Sequence, residues 1–158
     1  MHPLAGAFVT GVVLVHGTAV AIDGEAILLR GPSGAGKSDL ALRLIDGGAD
    51  LVADDQAALR RSGERVVVSA PETIAGMIEI RGVGIVRIGA VAGAPLALIV
   101  DLLPSGEIER LPEPRFEVVL GVAVPLVALA PFEGSAAAKL RLILRALATG
   151  PLPAIIGR

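Results

Sequence analysis

The sequence predicts an α/β fold in which a sheet is flanked by helices, and three observations carry this prediction. Residues 31–38 match the pattern G-x-x-x-x-G-K-[ST] over its whole length. An apolar, strand-like segment at residues 26–30 directly precedes the match. A segment with helical apolar spacing, at Leu40, Leu44 and Ile45, directly follows it. The motif therefore joins a strand to a helix, as a phosphate-binding loop does.

Turn residues divide the rest of the chain into short strands and one further helix. Asp23-Gly24 predicts a hairpin turn between two apolar runs, and Gly47 predicts the end of the first helix. Ser135 predicts the N-terminal cap of a final helix over residues 136–148. We expect strands at residues 9–15, 18–22, 25–30, 49–53, 56–61, 65–69, 78–80 and 96–101, and one or two strands within residues 118–130.

The composition narrows the classes of function. A length of 158 residues fits a single domain, which we assign to residues 1–158. The formal net charge of -2 and the absence of Trp and Tyr argue against a nucleic-acid partner. The absence of Cys excludes disulfides, thiolate metal sites and a cysteine nucleophile.

Two apolar stretches, residues 3–22 and 118–132, approach the length of a membrane span. The first contains Gly and Thr residues and has no basic flank, and the second is short and broken by Pro125. Buried strands of a sheet that is covered on both faces give the same apolar runs. We therefore expect no membrane partner and a cytoplasmic protein.

The matched loop predicts that the chain binds the phosphates of a nucleoside triphosphate. Glycines let the backbone curl so that several N–H groups point at phosphate oxygens, and the helix start adds a positive end. Lys37, one of two lysines in the chain, would reach the β- and γ-phosphates, and the Ser38 hydroxyl would bind Mg²⁺. The predicted nucleotide-binding residues are Gly31, Pro32, Ser33, Gly34, Ala35, Gly36, Lys37 and Ser38.

Phosphoryl transfer also needs a carboxylate near the metal and a group that activates the acceptor. Asp101 follows the apolar run 96–100 and fits the generic pattern of a metal-binding acid at a strand end. Asp54 and Asp55 follow residues 51–53, and a βαβ unit would return that strand beside the first one. Neighbouring strand residues point in opposite directions, so one acid of the pair should face the metal and the other is a candidate base.

Four motifs together resemble the catalytic domain of the HPr kinase/phosphorylase family. They are H-G at residues 16–17, the loop form G-x-S-G-x-G-K-S at 31–38, A-D-D at 53–55 and E-I-R-G-V-G-I at 79–85. Their order and approximate spacing are similar to those of the family over residues 16–111. The resemblance implies the fold of that P-loop kinase domain, in a short form without the additional N-terminal domain of full-length members.

The resemblance also implies a role for each matched residue. Asp55 would be the base that accepts the proton of the acceptor serine, with Asp54 beside it. Glu79 would be a metal ligand and Arg81 part of a catalytic loop, whereas the residues alone are equally consistent with a surface ion pair. The implied catalytic residues are His16, Lys37, Asp54, Asp55, Arg81 and, by a looser alignment, Arg110; the implied metal ligands are Ser38, Asp54 and Glu79.

The resemblance thus implies an ATP-dependent, Mg²⁺-requiring kinase that phosphorylates a serine of an HPr-like phosphocarrier protein. The family's late arginine-bearing loop corresponds to residues 130–135, which contain no arginine, and this argues against dephosphorylation. The resemblance further implies a homo-oligomer, with a hexamer among the expected forms. Two alternatives stay open. One is a P-loop kinase of a small molecule, with Arg60 and Arg61 as lid arginines, and the other is a nucleotide-sensing regulator without enzymatic activity.

Overall fold

A computed structural model describes residues 7–9 and 11–151 of the chain. Helices are α1 (Lys37–Asp46) and α2 (Ala136–Leu147), with short 3₁₀ turns at Glu72–Ile74 and Ser105–Glu107. The strands are β1 (Ala7–Val9), β2 (Val12–His16), β3 (Thr18–Ile22), β4 (Glu25–Arg30), β5 (Asp50–Ala53), β6 (Gln56–Ser62), β7 (Arg65–Ser69), β8 (Met77–Ile80), β9 (Gly84–Arg87), β10 (Ala94–Leu102), β11 (Arg115–Val119) and β12 (Val122–Leu129). Both helices, 10 and 12 residues long, are too short to cross a membrane, and no other helix in the described residues could do so.

The central layer is a mixed sheet with the strand order β5-β3-β4-β10-β12-β11. Strands β4, β10 and β12 are parallel, and Ile99 at the middle of β10 lies opposite Leu28 on one side and Leu126 on the other. These strands read as continuous apolar runs because both faces of the sheet are covered. The predicted α/β class is confirmed.

The predicted βαβ arrangement is wrong in one respect. Strand β5 does return parallel to β4 after α1, but β3 lies between them and pairs antiparallel with both. The hairpin turn at Asp23-Gly24 places β3 there, since both residues adopt positive φ values, 50° and 79°. Two apolar strands that are joined by a tight turn pair with each other. Because β4 already occupies one edge of β3, β5 pairs with the other edge.

The two faces of the central sheet are covered by different elements. On one face, Ile27 and Leu98 pack with Leu40 of α1 and Leu140 of α2. The opposite face packs against a second layer of antiparallel strands, β1-β2-β6-β7, which joins the central layer through the first residues of β10. The helices therefore flank one face only, and strands rather than helices cover the other.

Two other local predictions differ from the structure. The strand expected at residues 9–15 is a pair, β1 and β2, because the chain reverses at Gly11, where φ is 78°. Ser135 precedes α2 but its side chain makes no capping hydrogen bond, since its backbone is already helical, with φ -85° and ψ -4°. The apolar stretch 118–132 contributes to the β11–β12 hairpin, which turns at Leu120-Gly121.

Strands β8 and β9 form a separate small hairpin that follows the 3₁₀ turn. The sequence predicts β8 but not β9, whose side chains are mostly exposed and show no alternation of apolar and polar residues. Ile78 of β8 is buried in the same core as Leu40 and Leu44 of α1. This contact holds the hairpin beside the start of α1, where the phosphate-binding motif lies.

Candidate active site

The matched loop connects β4 to α1 at the carboxyl end of the central sheet. Gly34 and Gly36 adopt φ values of 82° and 101°, which a side chain would disfavour. Gly36 is the last residue before α1, so the loop's N–H groups and the positive helix end share one small volume. Lys37 is 6% exposed, and its Nζ donates to the carbonyls of Gly31 at 2.7 Å and Pro32 at 3.1 Å.

Asp54 lies next to this loop and is almost fully buried. Its Oδ1 accepts a hydrogen bond from the Ser38 hydroxyl at 2.8 Å and one from the Thr18 hydroxyl at 3.1 Å. Its Oδ2 accepts from the backbone N–H of Glu79 at 2.9 Å. Asp54 therefore joins the phosphate loop, strand β3 and the β8–β9 hairpin at a single carboxylate.

Asp55 points away from Asp54 and into the open. Its φ of 69° lies in the left-handed region, and its side chain is 66% exposed. The Nε2 of His16, at the end of β2, lies 2.8 Å from the Asp55 Oδ1. The two neighbouring acids thus have different surroundings: one is buried and shared among three donors, and the other is exposed with an imidazole partner.

Thr18 is a site residue that the sequence gives no reason to select. Its hydroxyl donates to Asp54 Oδ1 and accepts from the backbone N–H of Asp55, both at 3.1 Å. The side chain is fully buried. The neighbouring Gly17 N–H also donates to the Asp55 carbonyl at 2.9 Å. These contacts fix the backbone of the acidic pair against the first residues of β3.

An open cleft of about 690 Å³ runs between the phosphate loop and the β8–β9 turn. Glu79 and Arg81 line it from the hairpin, Asp55 lines it from the acidic pair, and Phe132 lines it from the loop after β12. Glu79 and Arg81 do not form the alternative surface ion pair, since no ion pair joins them within residues 7–9 and 11–151. The structure therefore brings His16, Lys37, Asp54, Asp55, Glu79 and Arg81 around one cleft or its rim.

Asp101 pairs with an arginine of the neighbouring strand. Its two oxygens accept from Nε and Nη2 of Arg30 at 2.8 and 3.2 Å, and Arg30 Nη1 donates to the fully buried Glu117 at 2.8 Å. Burial opposes the charge of Arg30, but its bonds to Glu117 and Asp101 outweigh this and raise the pKa of the guanidinium. Arg110 is exposed on the segment before β11 and is not among the residues that line the cleft.

The chemistry of the protein ligands fits a magnesium ion whose remaining ligands are phosphate oxygens. Ser38 and Asp54 supply a hydroxyl and a carboxylate, the hard oxygen ligands that Mg²⁺ takes beside substrate phosphates. Within residues 7–9 and 11–151, no three His, Asp or Glu side chains converge as a metal cluster of their own. Ser38 and Asp54 thus supply two oxygen ligands, and the phosphates of a bound nucleotide would supply others.

Comparison with known proteins decides the family. A family profile described as HPr Serine kinase C-terminal domain matches residues 8–140, most of the chain. The chain belongs to the HPr serine kinase C-terminal domain family. The resemblance drawn from the four sequence motifs is therefore confirmed.

Individual members of the HPr kinase family show the same relationship. The chain is 39% identical over 132 residues to the HPr kinase/phosphorylase of Chlorobium phaeobacteroides, covering 75% of this chain and 41% of the relative. It is 42% identical over 96 residues to that of an Exiguobacterium species, covering 56% and 31%. The chain thus spans less than half of the length of these curated relatives.

A solved structure of an HPr kinase shares the fold. The HPr(Ser) kinase/phosphatase from Coxiella burnetii superposes with a TM-score of 0.77 at 26% identity, covering 86% of this chain and 90% of that chain. The central mixed sheet described above, with two helices on one face and antiparallel strands on the other, is therefore the fold of the HPr kinase C-terminal domain.

Proposed function

We propose that the chain is an ATP-dependent kinase that phosphorylates a serine of an HPr-like phosphocarrier protein. One observation carries the proposal: the P-loop serine and two acids with different surroundings meet at one open cleft. A P-loop kinase needs phosphate-binding groups, a metal-orienting acid and a group that accepts the acceptor's proton. The names of the relatives indicate the acceptor, since they are HPr kinase/phosphorylases.

The phosphate loop would hold the nucleotide at the start of α1. Its backbone N–H groups and Lys37 donate to phosphate oxygens, and Lys37 exchanges its two carbonyl partners for them. Ser38 and Asp54 would hold Mg²⁺, which when bound neutralises charge on the phosphates. Because Asp54 is already bonded to Ser38, little reorganisation is needed to bring both oxygens to one ion.

Asp55 would act as the base at the exposed side of the cleft. It accepts the proton of the serine hydroxyl while the serine oxygen forms a bond to the γ-phosphorus and the bond to the ADP oxygen breaks. His16 positions the Asp55 carboxylate through their hydrogen bond. Arg81 and Glu79 line the same cleft, where Arg81 would stabilise the charge of the transferred group and Glu79 would be an additional metal ligand.

The loop after β12 gives less support to the reverse reaction, dephosphorylation of the phosphoserine. Residues 130–135 carry no arginine, and two basic side chains from the helices contact this loop. Arg43 of α1 donates to the carbonyls of Pro131 and Glu133, and Lys139 of α2 pairs with the Glu133 carboxylate. A guanidinium committed to two carbonyls, with Asp39 beside it, does not offer its charge to free phosphate. We therefore expect the forward, kinase direction to dominate.

The two alternatives have less support. A small-molecule kinase would use Arg60 and Arg61 as a lid, but both lie on β6 and neither lines the cleft. Arg61 donates instead to the carbonyls of Gly63 and Leu120. A purely sensing role would not need an exposed acid with an imidazole partner at the cleft. A cytoplasmic location and a homo-oligomer remain predictions.

Incubation with γ-labelled ATP, Mg²⁺ and purified HPr from the same organism tests the proposal. We expect one phosphoryl group on HPr, mapped to serine by mass spectrometry, and no label with the Lys37→Ala variant. In a parallel incubation with nucleosides and sugars in place of HPr, label on one of these acceptors would identify a small-molecule kinase. Tight ATP binding with no transfer to HPr would indicate a sensor, and either result would overturn the proposal.

A further inference from the structure

Phe132 is an aromatic side chain at the edge of the cleft to which no role has been assigned. The chain has three Phe, no Trp and no Tyr, and Phe132 is the one aromatic among the described residues that line the cleft. It is 69% exposed, so most of its ring surface faces solvent. The loop that carries it holds no basic residue, so the loop itself presents an apolar ring rather than a phosphate-binding charge.

The ring lies directly against the phosphate loop. A Cβ placed on Gly36 would come within 2.9 Å of Phe132 Cζ and 3.1 Å of Pro131 Cβ. The absence of a side chain at Gly36 therefore allows the tip of the ring to reach the loop beside the N-terminus of α1. In a nucleotide whose phosphates bind this loop, the sugar and base would lie a short distance from the ring.

The loop around Phe132 is held in place from both sides. Arg43 donates to the carbonyls of Pro131 and Glu133, the residues on either side of Phe132. The Glu133 carbonyl also accepts the Ala136 N–H at 3.1 Å, which ties the loop to the first turn of α2. An aromatic side chain with only two rotatable bonds on an anchored backbone loses little entropy when a flat ligand stacks on it.

We propose that Phe132 stacks on the purine base of bound ATP and supplies the base-dependent part of its affinity. The inference rests on the proposed function, because it takes the phosphates to lie in the P-loop. Stacking of a base on an aromatic side chain changes affinity by roughly 10- to 100-fold. The phosphate loop alone cannot supply this part, since its backbone amides contact phosphates and not the base.

Calorimetric titration with Mg-ATP and with Mg-tripolyphosphate, which lacks sugar and base, tests the proposal. We expect Phe132→Leu to raise the Kd for ATP by roughly 10-fold or more and to leave the Kd for tripolyphosphate unchanged. Phe116→Leu is the matched control, because Phe116 is a half-exposed ring on β11 that does not line the cleft. That variant should bind both ligands as the natural chain does.

A second variant tests stacking directly. Phe132→Trp introduces the sole tryptophan of the chain, whose fluorescence ATP should quench on binding and tripolyphosphate should not. Equal weakening of both ligands by Phe132→Leu would overturn the proposal, because it would assign Phe132 to loop structure. So would unchanged ATP affinity with a raised KM for the acceptor protein, which would assign the ring to acceptor docking. Absence of binding of either ligand to the natural chain would contradict the proposed function itself.

Discussion

At the scale of single residues, the site depends on one buried hydroxyl. Thr18 donates to Asp54 and accepts from the backbone N–H of Asp55, so it fixes the proposed metal ligand and the proposed base together. Asp55 also needs a φ of 69°, which aspartate and asparagine tolerate better than most residues. Two adjacent carboxylates can therefore take different tasks because their surroundings differ.

Replacing Thr18 by Val tests this positioning role. The variant keeps the shape of the side chain but leaves the Asp55 N–H without its acceptor and Asp54 without one donor. We expect kcat to fall roughly 10-fold or more, with a smaller change in the KM for ATP, and stability to fall by about 1–3 kcal/mol. Steady-state kinetics at varied ATP concentration measure the two constants separately.

Thr18→Ser is the matched control, because it restores the hydroxyl and removes only a methyl group. Its kcat should lie within about threefold of the natural value, since the hydrogen bonds return. A Ser variant as slow as the Val variant would show that packing at this buried position, and not the hydroxyl, decides the rate.

The residues differ in how far the sequence could predict them. The spacing within residues 31–38 predicts the roles of Lys37 and Ser38, because this motif places a phosphate-binding lysine and a metal-binding hydroxyl at fixed positions. Thr18 carries no such signal, since its contact with Asp54 joins positions 36 apart and depends on β3 pairing with β5. The contact between His16 and Asp55 is also one that the sequence does not predict. The motif resemblance implied that both residues belong to one site, but not that they form a hydrogen bond.

At the scale of elements, an ion-pair cluster ties three strands together behind the phosphate loop. Arg30, the last residue of β4, bonds to Asp101 of β10 and to Glu117 of β11. Arg30 directly precedes the first loop glycine, so the cluster sets where the loop begins. The pKa of Arg30 is raised, which means that the folded state favours the charged guanidinium.

Breaking the cluster should destabilise the fold more than removing it. Glu117→Leu should cost about 3 kcal/mol, because Arg30 keeps Asp101, and Arg30→Met should cost about 4–5 kcal/mol, because it leaves the buried Glu117 unpaired. The double variant removes both Arg30 and the buried Glu117, so it should cost less than Arg30→Met alone. Urea unfolding followed by circular dichroism measures all three.

The pH dependence of the stability lost in Arg30→Met follows from the direction in which the pKa of Arg30 is shifted. A raised pKa gives stability that is fully present below the ordinary pKa of arginine and is lost only above it. The cost of Arg30→Met should therefore be the same at about pH 6 and about pH 8. A cost that halves between these two values would show that another group carries the interaction.

Turn chemistry explains why some elements were predictable and others were not. Asp23-Gly24 and the turn at residues 62–64 specify hairpins locally, and both hairpins occur.

The position of Asp101 shows what local patterns do not predict. Its sequence pattern fits a metal-binding acid as well as that of Asp54 does. The residue opposite Asp101 in the strand register is Arg30, and the sequence does not predict this pairing. Strand order places Asp54 beside Ser38 and Asp101 beside Arg30, and strand order depends on contacts distant in sequence.

At the scale of the whole molecule, the apolar composition follows from two layers of strands and one layer of helices. With 53% hydrophobic residues, the chain covers its central sheet with strands on one face and helices on the other. The cleft lies at the carboxyl edge, where the phosphate loop, the acidic pair and the β8–β9 hairpin meet. A nucleotide bound there would contact elements of the sheet, the hairpin and α1 at once.

Nucleotide should therefore stabilise the whole molecule. At an ATP concentration of about 100 times Kd, the free energy of unfolding should rise by about 2.7 kcal/mol, which raises Tm by roughly 5–10 °C. Lys37→Ala should abolish the shift. Differential scanning calorimetry with Mg-ATP, and with Mg²⁺ alone as the control, measures it. An equal shift in Lys37→Ala would locate nucleotide binding elsewhere.

The most direct measurement of the central claim is single-turnover transfer from γ-labelled ATP to HPr by Asp55→Asn. Asparagine keeps the left-handed backbone and a partner for His16 but cannot accept the proton. Asp46→Asn, an exposed position at the end of α1, is the matched control. We predict that Asp55→Asn binds ATP normally and transfers about 10²–10⁴ times more slowly, while Asp46→Asn is unaffected. Transfer by Asp55→Asn within twofold of the natural rate would contradict the account.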